Sequence, residues 1–183
     1  AIKKDNKKAK VEFEAKDGKV NTKNYDRVLV CVGRKPNTKK INIENIGLET
    51  DKYGFIQTNM QGRTQVPNIF AIGDIVGNPM LAHKATHQGK VVAEVISGKR
   101  KFFEPKSIPY VIFTDPEIAW AGPSIKDLEK KQIKFKSKNF PWQANGRALS
   151  LGAINGRTKI IYDEGNEKIL SIGIVGPHAG DLI

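Results

Sequence analysis

The stretch with the most chemical potential is Thr64-Gln-Val-Pro-Asn-Ile-Phe-Ala-Ile-Gly-Asp74, an apolar run that ends on a glycine and an acid. A buried strand of this kind delivers its last carboxylate to the carboxyl edge of a sheet, where ligands of open α/β folds sit. Asp74 at that edge can accept hydrogen bonds from the hydroxyls of a sugar or ribitol. Gly73 lets a ligand approach the backbone. Residues 81–97 then read as a helix, with Leu81, Ala85, Val92, Val95 and Ile96 on one stripe and Gly98 as its C-cap. Gly89 inside that helix costs about 1 kcal/mol relative to alanine, which a close backbone neighbour would explain. The helix start aims unpaired N–H groups and a positive dipole end at the same crevice, which suits negative charge gathering on a bound group.

Other spacings carry less. His83 and His87 stand four apart on the same helix, the spacing of two zinc ligands. No glutamate follows His83 as in H-E-x-x-H, and His178 is the only other histidine, so no metal is expected. Gly73 and Gly77 are four apart without a following Gly-Lys-Ser/Thr, which excludes a Walker loop. Cys31 is the single cysteine, so the chain has no internal disulfide, no Cys-only zinc site and no dithiol of its own. No two glycines are two apart, so the Gly-x-Gly-x-x-Gly phosphate loop is absent.

The elements that must position Asp74 are legible by pattern. Lys10 to Ala15 alternates polar and apolar residues and reads as a strand, with Asp17-Gly18 as a tight hairpin turn. Tyr25 to Val32 reads as a strand covered on both faces, ending in the Gly33-Arg34-Lys35-Pro36-Asn37 loop. Residues 41–65 read as irregular, and Asn68 to Ile72 as a second buried strand. Pro105 and Pro109 bracket a crossover. Beyond it, Tyr110 to Phe113, Gln132 to Phe140, Thr158 to Tyr162 and Lys168 to Val175 read as strands, the last two flanking a hairpin. Ser124 caps a short helix through Lys131, with Asp127 in its first turn. The fold class is therefore α/β followed by α+β with an antiparallel sheet. The chain enters a strand almost at once and ends at Gly176-Pro-His-Ala-Gly-Asp-Leu-Ile183, where a helix is about to begin; a piece of a longer protein is expected.

The 183 residues carry 31 basic and 19 acidic side chains, a net +12. Residues 1–40 hold 13 of the basic groups against 5 acidic ones. Segment 1–24 has no arginine and a single aromatic, Phe13, where phosphate recognition favours arginine forks and stacking needs aromatics. A solvated lysine surface is the expected reading, with no nucleic acid and no membrane as partners. No apolar run approaches the roughly 18 residues of a membrane span.

The Thr64–Asp74 run resembles the second flavin-binding fingerprint of the pyridine nucleotide–disulfide oxidoreductases. Its continuation through Met80-Leu-Ala-His83 is similar to the bacterial branch that oxidises protein-bound dihydrolipoamide. Thr114-Asp-Pro-Glu-Ile-Ala-Trp-Ala-Gly122 resembles the start of that family's dimerisation domain, and Asn145-Gly-Arg-Ala148 fits further along. The resemblance implies FAD and NAD as cofactors. Asp74 would bind the ribitol; Met80, Leu81, Ala82 and His83 would face the flavin; Cys31, Val32, Gly33 and Arg34 would line the nicotinamide nucleotide. It implies the end of an NAD-binding domain in 1–39, an FAD-contacting segment in 40–106 and part of an interface domain in 107–183. Asp181 stands where the family usually has glutamate. The family's redox cysteine pair and its His-Glu acid–base pair lie outside these residues, so no catalytic residue is expected in this chain. The implied whole is a cytoplasmic homodimer that works with the lipoyl-bearing acyltransferase of 2-oxo acid dehydrogenase complexes. The rival readings are another FAD-dependent disulfide reductase or transhydrogenase, and a non-catalytic basic binding module.

Overall fold

Alternation in the first residues produces a small antiparallel meander. In the computed structural model, which describes residues 1–5 and 8–183, β1 (Ile2–Asp5), β2 (Lys8–Glu14) and β3 (Val20–Tyr25) pair in that order. Val11 faces Ile2 on one side and Lys23 on the other. The turn after β2 closes through Gly18 N–H donating to Ala15 O at 2.9 Å.

Two expected strands do not form. Tyr25 ends β3, and Val28 to Val32 forms no strand, with Leu29 88% and Val32 92% exposed. Asn68 to Ile72 makes one bridge, Phe70 with Arg63, and no ladder. The physical reason is common to both. A strand inside a sheet needs a ladder on each side, and among the described residues neither run has one.

What holds the middle of the chain is a small apolar cluster. Ile43, Leu48, Ile56 and Ala71 are buried together, and Val66, Ile69, Ile75 and Val76 pack around them. The expected helix follows as α1 (Ala82–Ile96). Its buried face is Lys84, Val91 and Val95, with Ala85, Gln88 and Val92 half-buried. Ile96, expected on that stripe, is 66% exposed because it lies one residue, or about 100°, past Val95. Close approach of the helix requires Gly62, whose φ is +76° and whose added Cβ would stand 2.6 Å from Val92 Cγ2. A Cβ on Gly89 would meet Ile72 Cδ1 at 3.5 Å, an ordinary contact.

The second part is a five-stranded antiparallel sheet. Its strands are β4 (Tyr110–Ile112), β5 (Ile118–Ala121), β6 (Phe135–Pro141), β7 (Arg157–Asp163) and β8 (Ile169–Val175), in the order β4-β5-β8-β7-β6. Three short helices lie between or after them: α2 (Ile125–Lys130), α3 (Gly146–Ser150) and α4 (Ala179–Leu182). Ser124 and Asp127 form a reciprocal capping box on α2, and the Ser124 hydroxyl and backbone N–H, both donating to the Asp127 carboxylate, hold it below its ordinary value. β6 starts later than the pattern predicts, because Gln132 and Ile133 still donate to carbonyls of α2. Ala119, Trp142, Ala148, Ile174 and Ala179 form the core here. The Trp142 ring lies between Gly156 and Gly176, and its indole N–H donates to Thr158 Oγ1 at 3.0 Å. No helix among the described residues is long and apolar enough to cross a membrane.

Two substitutions test these contacts. Gly156→Ala drives a methyl into the Trp142 ring and lowers stability by about 1–3 kcal/mol, read as a fall in Tm by calorimetry. Gly62→Ala costs about as much through overpacking against Val92, with the left-handed backbone adding to it. An unchanged Tm in either variant refutes the corresponding close approach.

Candidate flavin-contacting site

The residues around Asp74 form one chain-continuous frame. Arg63 and Phe70 bridge, with the guanidinium carbon 4.8 Å above the Phe70 ring. Inside that bend, Thr64 Oγ1 accepts from Val66 N–H at 3.2 Å and donates to Ile69 O at 2.9 Å. Ala71 N–H then donates to Gly62 O at 3.0 Å, and the chain enters a one-turn 3-10 helix, Gly73–Val76, which carries Asp74. Ile56 N–H donates to Ile75 O at 2.8 Å, which fastens that turn to the apolar cluster below it. Asp74 itself is exposed, and among the described residues its carboxylate accepts no hydrogen bond.

The start of α1 lies beside this turn. The first helical hydrogen bond is Ala85 N–H to Leu81 O, at 3.1 Å, and Leu81 has no side chain able to cap. The amides of Ala82, His83 and Lys84 therefore lack an i−4 partner within the helix. Leu81 N–H is engaged by Pro79 O at 3.1 Å. An exposed carboxylate acceptor and a bare helix start fit a ligand that offers hydroxyls at one end and an electron-rich ring at the other.

Two side chains that the sequence reading missed hold the two features together. Lys84 is 4% exposed, and its Nζ donates to Gly73 O at 3.1 Å and Gly77 O at 2.7 Å. Gln88, one turn along, accepts from Gly73 N–H at 2.8 Å. Burial pushes the Lys84 pKa down from the ordinary lysine value, and the Asp74 charge partly opposes that shift. The available signal was a lysine on the same helical stripe as Val91 and Val95. Gly73 has φ +78°, and a Cβ on it would stand 3.3 Å from Ala85 Cβ, so the helix itself approaches this backbone closely.

The remaining expected residues divide. Arg34 reaches the same frame, its Nη1 donating to Met80 O at 3.0 Å, and Met80 is buried. Cys31, Val32 and Gly33 are exposed, and among the described residues they make no hydrogen bond to α1. His83 and His87 do not converge on a common point. His83 Nε2 is 2.8 Å from Pro109 O, and the His87 ring meets Phe103 edge-on at 5.0 Å, so both fasten the crossover segment to α1. Among the described residues no group of three or more His, Cys, Asp or Glu could hold a metal ion.

Comparison with known proteins places the chain in a family. Residues 1–89 match the family profile "Pyridine nucleotide-disulphide oxidoreductase", and residues 108–183 match the dimerisation domain of the same family. The dihydrolipoyl dehydrogenase of Vibrio parahaemolyticus is 48% identical over 173 residues, which is 94% of this chain and 36% of that protein. That of Buchnera aphidicola is 50% identical over 159 residues, 87% of this chain and 34% of that protein. The human mitochondrial enzyme is 39% identical over 184 residues, 100% of this chain and 36% of that protein. The chain thus spans about a third of the length of the curated relatives it matches. Among solved structures, LpdA from Mycobacterium tuberculosis superposes with a TM-score of 0.84 at 23% identity, covering 100% of this chain and 39% of that one. The HOCl-induced flavoprotein disulfide reductase RclA from Escherichia coli does so at 0.84 and 20% identity, over 98% of this chain and 41% of that one, and both show the shared fold. With matched profiles over most of its length and relatives at 39–50% identity, the chain belongs to the pyridine nucleotide-disulphide oxidoreductase family.

Proposed function

We propose that this chain is part of a dihydrolipoyl dehydrogenase and contributes one wall of its FAD site. The observation that carries the reading is the exposed Asp74 carboxylate held beside the uncapped first turn of α1. Asp74 accepts a hydrogen bond from a ribitol hydroxyl. The amides of Ala82 and His83, with Met80 and Leu81 beside them, face the flavin ring. Cys31, Val32, Gly33 and Arg34 line the nicotinamide nucleotide, and Arg34 links that loop to the flavin side through Met80 O.

FAD, when bound, supplies the two-electron carrier between a dithiol and NAD. On this reading the division of labour is residues 1–39 to the NAD domain, 40–106 to the FAD-contacting segment and 107–183 to the interface domain. The whole protein oxidises protein-bound dihydrolipoamide to lipoamide as a cytoplasmic homodimer. Its partner is the lipoyl-bearing acyltransferase of a 2-oxo acid dehydrogenase complex. The relatives' shared name and the dimerisation profile over 108–183 support this reading.

In the full-length protein, Asp74→Asn weakens FAD binding by about 10–100-fold, the scale of one hydrogen bond to a charged acceptor. Fluorescence titration of the flavin-stripped protein measures it, and unchanged affinity refutes the assignment of Asp74. The 183-residue chain alone, given dihydrolipoamide and NAD, makes no NADH, because one cysteine cannot cycle as a dithiol. NADH formation above background would show that no disulfide from elsewhere is required.

A further inference from the structure

The inward face of α1, with Val91, Val92 and Val95 along it, also carries an ammonium, that of Lys84. Lys84 is almost wholly buried, yet among the described residues its ammonium forms no ion pair with a carboxylate. Its two acceptors are the carbonyls of Gly73 and Gly77, the residues that open and follow the turn carrying Asp74. Gln88 accepts from the Gly73 N–H. Three backbone groups of one turn are therefore satisfied by two side chains four residues apart on α1.

We infer that Lys84 and Gln88 are positioning residues for the flavin site: they clamp the Gly73–Gly77 turn to α1 and so fix Asp74 at a set distance from the helix start. The inference rests on the reading that Asp74 meets the ribitol of FAD. The clamp joins the two features that must act together on one ligand. One recognises hydroxyls and the other recognises an electron-rich ring. Fixing their separation before binding removes an ordering cost that the ligand would otherwise bear. The Asp74 charge favours the charged form of Lys84 against the burial that opposes it.

A double-mutant cycle on the full-length, flavin-stripped protein tests this. FAD affinity is titrated for the wild type, Lys84→Met, Asp74→Asn and the double variant, and thermal unfolding of each apoprotein is recorded. Lys84→Met is expected to weaken FAD binding about tenfold in the wild-type background and to have little effect once Asp74 is Asn. Equal losses in both backgrounds, or none in either, overturn the inference while leaving Asp74 in place. If Asp74→Asn leaves affinity unchanged, the assignment of Asp74 falls and the inference falls with it. If Lys84→Met does not fold, Gln88 decides. Gln88→Glu keeps an acceptor for Gly73 N–H and retains FAD affinity, whereas Gln88→Leu loses it about tenfold. Equal affinities for those two variants overturn the clamp.

Discussion

A one-turn helix cannot satisfy its own end groups. The turn at Gly73–Val76 sits between an extended segment without a ladder and the Gly77–Leu81 loop, so its terminal N–H and C=O groups must find partners elsewhere. Lys84 and Gln88 supply them from α1, and Ile56 supplies one more from the cluster beneath. The helix in turn is held down by Val91, Val95 and the close contact of Val92 with Gly62. The position of the one exposed acid in the fingerprint thus depends on a buried cation and the glycine that lets its helix approach.

The two halves of the chain differ in how far they close on themselves. In the five-stranded sheet every strand finds its neighbours among the described residues, and each pairing is antiparallel. Hairpins bring such partners together locally, which is why β7 and β8 follow their sequence pattern closely. Among the described residues the apolar run at 28–32 pairs with no strand, and that at 68–72 makes only the Phe70–Arg63 bridge. Parallel strands take neighbours that are distant in sequence, and no described residue pairs with 28–32, where Leu29 and Val32 are exposed.

Charge has little to do with either half. The ion pairs among the described residues, such as Lys136 with Glu164 at 3.1 Å and Lys19 with Asp17 at 3.3 Å, are largely solvent-exposed. Pairs of that kind contribute about 0–1 kcal/mol each. The lysines of the first meander lie on strands whose faces are mostly open to water. Among the described residues the one buried cation is Lys84, and it works by donating to carbonyls.

The amino-acid sequence by itself determined α1, the Ser124 cap of α2, the hairpin of β7 and β8, and the fingerprint that ends at Asp74. Each depends on contacts within a few turns or across one short loop, so local pattern suffices. Only the tertiary structure decided that Lys84 faces inward while Ile96 faces water. It alone showed that His83 and His87 hold the crossover segment, and that Arg34 reaches Met80 while Cys31 to Gly33 stay apart. These outcomes depend on which distant backbone group is within reach of a side chain. A long polar side chain on a helix stripe turns inward when unpaired carbonyls lie behind it, and the positions of Gly73 and Gly77 are settled by the fold around them.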